Sequence, residues 1–498
     1  MSHEYIVKQS EEICKCLNQL RFRKILSDVY LEHIMAIIHS VFMPGYHGKI
    51  ANMKYFSEKH RTSVAHFLND GKWDSLEVER SFRKQVVDTV YHESRKSGQP
   101  VFCIVDDTIA SHTAPSSQAL HPIEAAYYHM SHLKKCHDYG HQAVGVMLSC
   151  NGLSLNYAMV LYDKSRSKIE IVRRIAQELP VPPNAAYFLC DSWYTSSELI
   201  AAFAQKGFQT IGALRTNRII YPNQIRQQAK AFAPAIRKDD PNVSLVTVGH
   251  RRFYAYRYEG KVSDCEKAVV LLCYSEKSFG NPDALRVFIS TQTNLSTQEI
   301  LEMYAKRWSI EVFFRNCKQK LAFDKCQLRK QRGIERMWLL LSLVHFLCCT
   351  LPDYRGAFEK GFAYFRECLL QAWGALQRYA QRKVWMFFGI CSFIVHKTKA
   401  QSGSFLIHRW KQLNLVIRHK GTCQRRFQQA FIPYTIRAAG FLNHLLMQCN
   451  DVFRCQPNHL ASASYATRFF SISCSPSASN SSSDASRYSS ARLKSITK

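Results

Sequence analysis

Two short apolar runs, each preceded by proline and each ending in aspartate, restrict what this chain can fold into more than any other feature. Val101-Phe-Cys-Ile-Val-Asp106 follows Pro100, and Ala186-Tyr-Phe-Leu-Cys-Asp191 follows Pro182-Pro183. Unbroken apolarity with no polar alternation marks a strand buried on both faces, and such a strand needs a sheet covered by helices. A carboxylate at the tip of a central strand is well placed for a metal ion.

The residues around these runs give the order. Gln142 to Ser149 and Leu153 to Leu161 read as strands joined by a tight Asn151-Gly152 turn. Arg166 to Leu179 is amphipathic, a helix capped near Thr195 or Ser196 follows Asp191, and Phe208 to Leu214 is a further strand. Strand, hairpin, helix, strand, helix, strand is the order of an α/β, ribonuclease H-like core. There the first and fourth strands lie side by side, so Asp106 and Asp191 would meet.

A third acidic group comes from the stretch Asn294 to Leu321. Ser296 with Glu299 fits a capping box, so a helix should begin near Thr297 and run without interruption. On one continuous helix Tyr304, Arg307, Glu311 and Lys318 fall within an arc of roughly 60°, with Arg315 on the same stripe. Met303, Ile310, Phe313, Phe314, Cys317 and Leu321 form a docking face, with Lys306 the misfit. The charged stripe alone is equally well explained as a solvated ladder. A chemical role requires the two aspartates as partners, because a single Glu cannot hold a divalent ion.

Charge narrows the partner. Lys and Arg number 67 against 38 Asp and Glu, a net charge of +29, which calls for a polyanion, double-stranded DNA first. Met337 to Leu351, the longest apolar run, falls short of the ~20 residues of a membrane span and reads as a buried helix. The amino terminus lacks an apolar signal core, so a cytoplasmic protein is expected. The 18 Cys include no Cys-x-x-Cys pair and read as reduced, mostly buried thiols. Six His between His112 and His141, in a loop-like context, give no convincing zinc site.

The chain divides by pattern. Residues 1–97 form an N-terminal helical domain, with Val29, Ile34, Ile37, Ile38 and Val41 at helical spacing. There Lys49, Lys54, Lys59, His60 and Arg61 alternate with Tyr55, Phe56 and Phe67, a mix suited to DNA contact. Residues 98–214 hold the first part of the core, and 215–290 a mostly β insertion in which Val243 to Tyr258 and Ala268 to Tyr274 are strands. The first of these, with Arg251, Arg252 and Arg257, either touches DNA or is an edge strand facing water. Residues 291–383 complete the core with the Glu311 helix and C-terminal helices. The tail, 384–498, has 15 Lys plus Arg, only two acids (Asp451 and Asp484), and Ser at 11 of the 20 positions from Ser471 to Ser490. It reads as disordered, either a DNA-binding tail or an extension without a selected fold.

Asp106-Asp107-Thr108, the Asp191 strand, and Tyr304-x2-Arg307-x3-Glu311-x6-Lys318 together resemble the DDE transposases of bacterial insertion sequences, specifically the insertion-sequence-four superfamily with its Tyr-Arg-Glu-Lys signature. The resemblance covers about residues 50 to 350. It implies that Asp106, Asp191 and Glu311 are the catalytic carboxylates binding two divalent ions, Mg²⁺ or Mn²⁺. It further implies that Tyr304, Arg307 and Lys318, with Arg315 beside them, contact DNA. Asp106 is preferred over Asp107 because the family pattern is Asp-x-Thr. The implied activity is cleavage of terminal inverted repeats and strand transfer, by a homodimer on paired ends. A catalytically silent DNA-binding relic and a ribonuclease H-like nuclease without strand transfer are the alternatives.

Overall fold

The computed structural model describes residues 11–371 apart from 54–56, 58, 120–121, 132–133 and 263–264, together with residue 374. The expected tail, 384–498, and the candidate DNA contacts Lys54, Tyr55 and Phe56 lie outside the described residues.

Six helices come first: α1 (Glu11–Gln19), α2 (Phe22–Ile25), α3 (Asp28–Phe42), α4 (Ile50–Met53), α5 (Arg61–Asn69) and α6 (Ser75–Ser97). The spacing in α3 buries Ile34, Ile37, Ile38 and Val41 but leaves Val29 on its outer side, 57% exposed. Phe67 is 1% exposed and stacks on Trp73 inside the core, so it is not an aromatic offered to DNA. Lys59 is paired with Glu32 at 2.6 Å.

The strands are β1 (Val101–Ser111), β2 (Tyr127–Ser131), β3 (Cys136–Cys150) and β4 (Leu153–Tyr162). After α7 (Lys168–Glu178) come β5 (Ala186–Cys190), α8 (Ser197–Ala204) and β6 (Gln209–Leu214). Next are β7 (Ile219–Ile220), β8 (Gln227–Gln228), α9 (Ala229–Phe232), β9 (Val243–Val248), β10 (Arg251–Val262), β11 (Cys265–Ser275) and β12 (Arg286–Ser290). Among the described residues they form one twelve-stranded sheet in the order β2-β3-β1-β5-β6-β12-β11-β10-β7-β8, with β4 on β3 and β9 on β10. β1, β5 and β6 are parallel and the other pairings antiparallel. The strands of 215–290 thus continue the central sheet through β12, over a smaller core of their own that includes Tyr256, Tyr258, Val270 and Leu272.

Several expectations are corrected. β1 does not end at Asp106 but runs on to Ser111, because β3 pairs with it along its length after β5 has stopped at Cys190. The His-rich stretch is a loop only in its first part: the described residues from His112 to Ala126 lie outside strands, whereas β2 and the beginning of β3 carry His129, His137 and His141. Val243 to Tyr258 is a hairpin rather than one strand, turning at Gly249, whose φ of 60° suits glycine. Its Arg257 is held by the carbonyls of Thr293 and Leu295, and Arg252 by Glu276. The Asn151-Gly152 turn is as expected, with φ of 47° and 78°.

The late helices are α10 (Thr297–Ala305), α11 (Trp308–Gln319) and α12 (Gln331–Thr350), and residues 358–371 are also helical. α12 is long and apolar enough to cross a membrane, yet 83% of its most apolar stretch is buried in this molecule, against β4, α5 and α3. Near its start Arg336, 1% exposed, donates to the carbonyls of Phe67, Leu68 and Trp73 at 3.2, 3.0 and 2.7 Å and lies 4.2 Å over the Trp73 ring. Two of those carbonyls are the last-turn acceptors of α5 that no helical N–H reaches. Arg336→Met should therefore lower unfolding free energy in urea by about 2–3 kcal/mol, since the buried carbonyls of Leu68 and Trp73 lose their donor while that of Phe67 keeps the Trp73 indole N–H at 2.9 Å.

Candidate active site

Val105 pairs with Cys190 in the parallel β1–β5 ladder, which brings Asp106 level with Asp191 just beyond the last paired residue of β5. Strand alternation then separates Asp106 from Asp107. Asp106 pairs with Gly145, and a Cβ at Gly145 would lie 2.8 Å from the Phe314 ring, so α11 packs closely on that face. Asp107 points to the other face. There Tyr194 Oη donates to it at 3.1 Å, Lys168 Nζ at 3.1 Å, and Gln142 Nε2 is a third donor. With its oxygens so occupied Asp107 is a structural anchor, which leaves Asp106 on the face of Glu311.

The helix carrying Glu311 is not continuous. At Lys306 and Arg307 the chain makes i→i−3 bonds, Lys306 to Met303 and Arg307 to Tyr304, which tighten one turn and divide α10 from α11. The capping box at Ser296 and Glu299 is present. Ile310, Phe313, Phe314, Cys317 and Leu321 are buried as the docking face requires, while Met303 is only partly covered. The tightened turn carries Arg307 between two acids. Its Nη1 donates to Asp106 Oδ2 at 2.7 Å and its Nη2 to Glu311 Oε1 at 2.5 Å.

Burial raises the Asp106 pKa to about 6, with Arg307 opposing the rise and Asp191 adding to it. Burial works against the Arg307 charge too, but Tyr304, Asp106 and Glu311 outweigh it and raise its pKa. Tyr304 packs on Phe288 with ring centroids 4.7 Å apart, and burial pushes its hydroxyl up to about 12, so it is neutral. Asp191 is fixed by its own turn, its Oδ1 accepting the backbone N–H of Trp193 at 3.0 Å and of Tyr194 at 3.2 Å.

Lys318 stands apart from this group. It is two turns along α11 from Glu311 and half buried, and burial lowers its pKa against the opposing charges of Asp324 and Asp138. Arg315 is exposed on the same helix. Sequence reasoning missed Lys168, Gln142 and Tyr194, whose only signal was the polar pair Asp107 and Gln142 inside apolar strands. It also passed over Trp193, 53% exposed beside Asp191, with Lys168 and Arg215 each 5.4 Å from its ring.

Among the described residues no three His, Cys, Asp or Glu side chains converge at metal-ligand distance. The donor chemistry nevertheless suits a hard divalent cation, since all three acids offer oxygen ligands. Asp106 is held against its own charge, and the guanidinium fork between Asp106 and Glu311 marks the place where positive charge is stabilised.

A family model described as Transposase DDE domain matches residues 97–347, half of the chain, from the end of α6 into α12. No curated protein matches the chain.

Proposed function

From the premise that this chain belongs to the transposase DDE domain family, we propose that it is an insertion-sequence transposase of the insertion-sequence-four type, which cuts the terminal inverted repeats of its element and joins them to target DNA. Members of the family generally work with divalent metal ions. One observation supports the reading most: Asp106 and Asp191 stand level on neighbouring parallel strands while Arg307 joins Asp106 to Glu311. The order β4-β3-β1-β5-β6 within the sheet supports a ribonuclease H-like core beneath that site.

On this reading Asp106, Asp191 and Glu311 hold Mg²⁺ or Mn²⁺, which when bound activates a water or a DNA 3′-hydroxyl and stabilises the leaving oxygen. The protein's own groups do the positioning. Arg307 opposes the rise in the Asp106 pKa and holds Asp106 and Glu311 in orientation, and its planar fork matches a phosphate as well as it matches carboxylates. Tyr304, neutral at every working pH, offers a hydroxyl to a phosphate oxygen. Lys318 and Arg315 place point charges and forks along the bound strand. A homodimer on paired ends, working in the cytoplasm on the nucleoid, completes the proposal.

The experiment is single-turnover nicking of a duplex bearing the inverted repeats that flank the gene. Nicking is expected with Mg²⁺ or Mn²⁺, none in EDTA, and none from Glu311→Gln, which should still bind the duplex. Binding by the wild type without nicking in either metal would reduce the protein to a silent DNA-binding relic, and nicking without joining to target would leave a nuclease.

A further inference from the structure

One large hollow among the described residues lies apart from the carboxylates. It is a cleft of about 1140 Å³ between the turn joining α3 to α4, the end of β1, and the residues that follow α11. None of Asp106, Asp191 and Glu311 lines it. Its charge is one-sided: Lys49, Lys318, Lys320, Lys325, Arg329 and Arg366 face it, against Asp324 as the one acid among its lining residues. Asp324 is paired with Lys325 at 3.0 Å, and Lys320 with Glu359 at 3.3 Å, so even after both pairings the lining is strongly positive. Phe42, Tyr46 and Phe362, all buried, close its floor.

Two elements lead from the carboxylates into this cleft. β1 carries Asp106 and reaches the lining at Ser111. α11 carries Glu311 and reaches it at Lys318. Seven helical residues span about 10 Å, and five strand residues about 17 Å. The lining therefore begins roughly 10–17 Å from the carboxylates, which along B-form DNA is about three to five base pairs.

We propose that this cleft binds the phosphodiester backbone of duplex DNA about three to five base pairs from the bond cut at the carboxylates, with Lys49, Lys325 and Arg366 as contacts. The proposal rests on the transposase reading and extends it to residues outside the signature helix. Multiple cations on one concave wall hold a polyanion by releasing its counterions, and the apolar floor keeps the wall's shape without competing for the phosphates.

The test is binding of a fluorescent duplex of about 30 base pairs, in EDTA, between ~50 and ~200 mM salt. The triple variant Lys49→Gln, Lys325→Gln, Arg366→Gln changes exposed side chains and gives up one ion pair, Lys325 with Asp324, so its melting temperature should stay close to that of the wild type. Its log-affinity against log-salt slope should fall by about 2–3, near 0.9 for each neutralised contact. A control variant, Lys72→Gln, Lys96→Gln, Lys277→Gln, removes three exposed charges outside the cleft and should lose less than about one unit of slope. Equal losses in the two variants overturn the cleft and leave the transposase reading standing. A wild type that does not bind the duplex overturns that reading itself. On a cleavable end, neutral methylphosphonates at the third to fifth phosphates should weaken binding by the wild type but not by the cleft variant, and interference confined to other positions refutes the placement.

Discussion

Asp106→Asn should make the metal-free protein more stable at pH 8 than the wild type, by about 1–3 kcal/mol, while lowering single-turnover cleavage by about a thousandfold or more. The stability gain follows from the Asp106 pKa, raised from 3.8 to about 6 chiefly by burial and further by Asp191, with Arg307 only partly compensating. A carboxyl group whose folded pKa exceeds its unfolded one binds its proton more tightly in the native state. Its contribution to stability is complete below about pH 4 and is lost as pH rises through about 6. Asparagine carries no charge to desolvate. The two proteins should be close in urea at pH 4 and should diverge across that window, the variant ahead. A gap independent of pH would mean that Asp106 is not held against its charge. A variant that is stabilised yet still cleaves would remove Asp106 from the chemistry.

How much of this was legible in the sequence depended on how local the cause was. The apolar strands, the Asn151-Gly152 turn and the Ser296 cap are short-range signals, and they appear where the residues place them. The meeting of Asp106 with Asp191 followed from strand order. The division of the signature helix did not follow, because no Gly or Pro marks Lys306 or Arg307. That tight turn coincides with a tertiary contact, the reach of Arg307 across to β1. The Asp106–Asp107 ambiguity was open to sequence reasoning only as alternation. It took the donors Gln142, Lys168 and Tyr194 to show which acid is anchored. Phe67 was misread for a similar reason: Trp73 and Arg336, which bury it, are distant in pattern or in chain.

The tightened turn also gives Arg307 a thermodynamic signature separate from any DNA contact. In EDTA, Arg307→Ala leaves Asp106 and Glu311 without the cation between them, at side chains 19% and 34% exposed, and should lower stability by about 3 kcal/mol. With saturating Mg²⁺ or Mn²⁺ that gap should close almost completely. If a dication replaces the guanidinium as the counter-charge to these acids, Arg307 contributes nothing further to the stability of the loaded protein, and the variant binds metal more tightly by the amount it lost. A difference of 3 kcal/mol corresponds to about a hundredfold in metal affinity. It appears as a larger metal-induced rise in melting temperature for the variant than for the wild type. Arg307→Lys should fall between, because a point charge cannot bridge both acids as the fork does. A destabilisation that persists unchanged in saturating metal would make Arg307 a structural strut. In that case its two ion pairs belong to the fold of the α10–α11 turn and not to the site that the three carboxylates form.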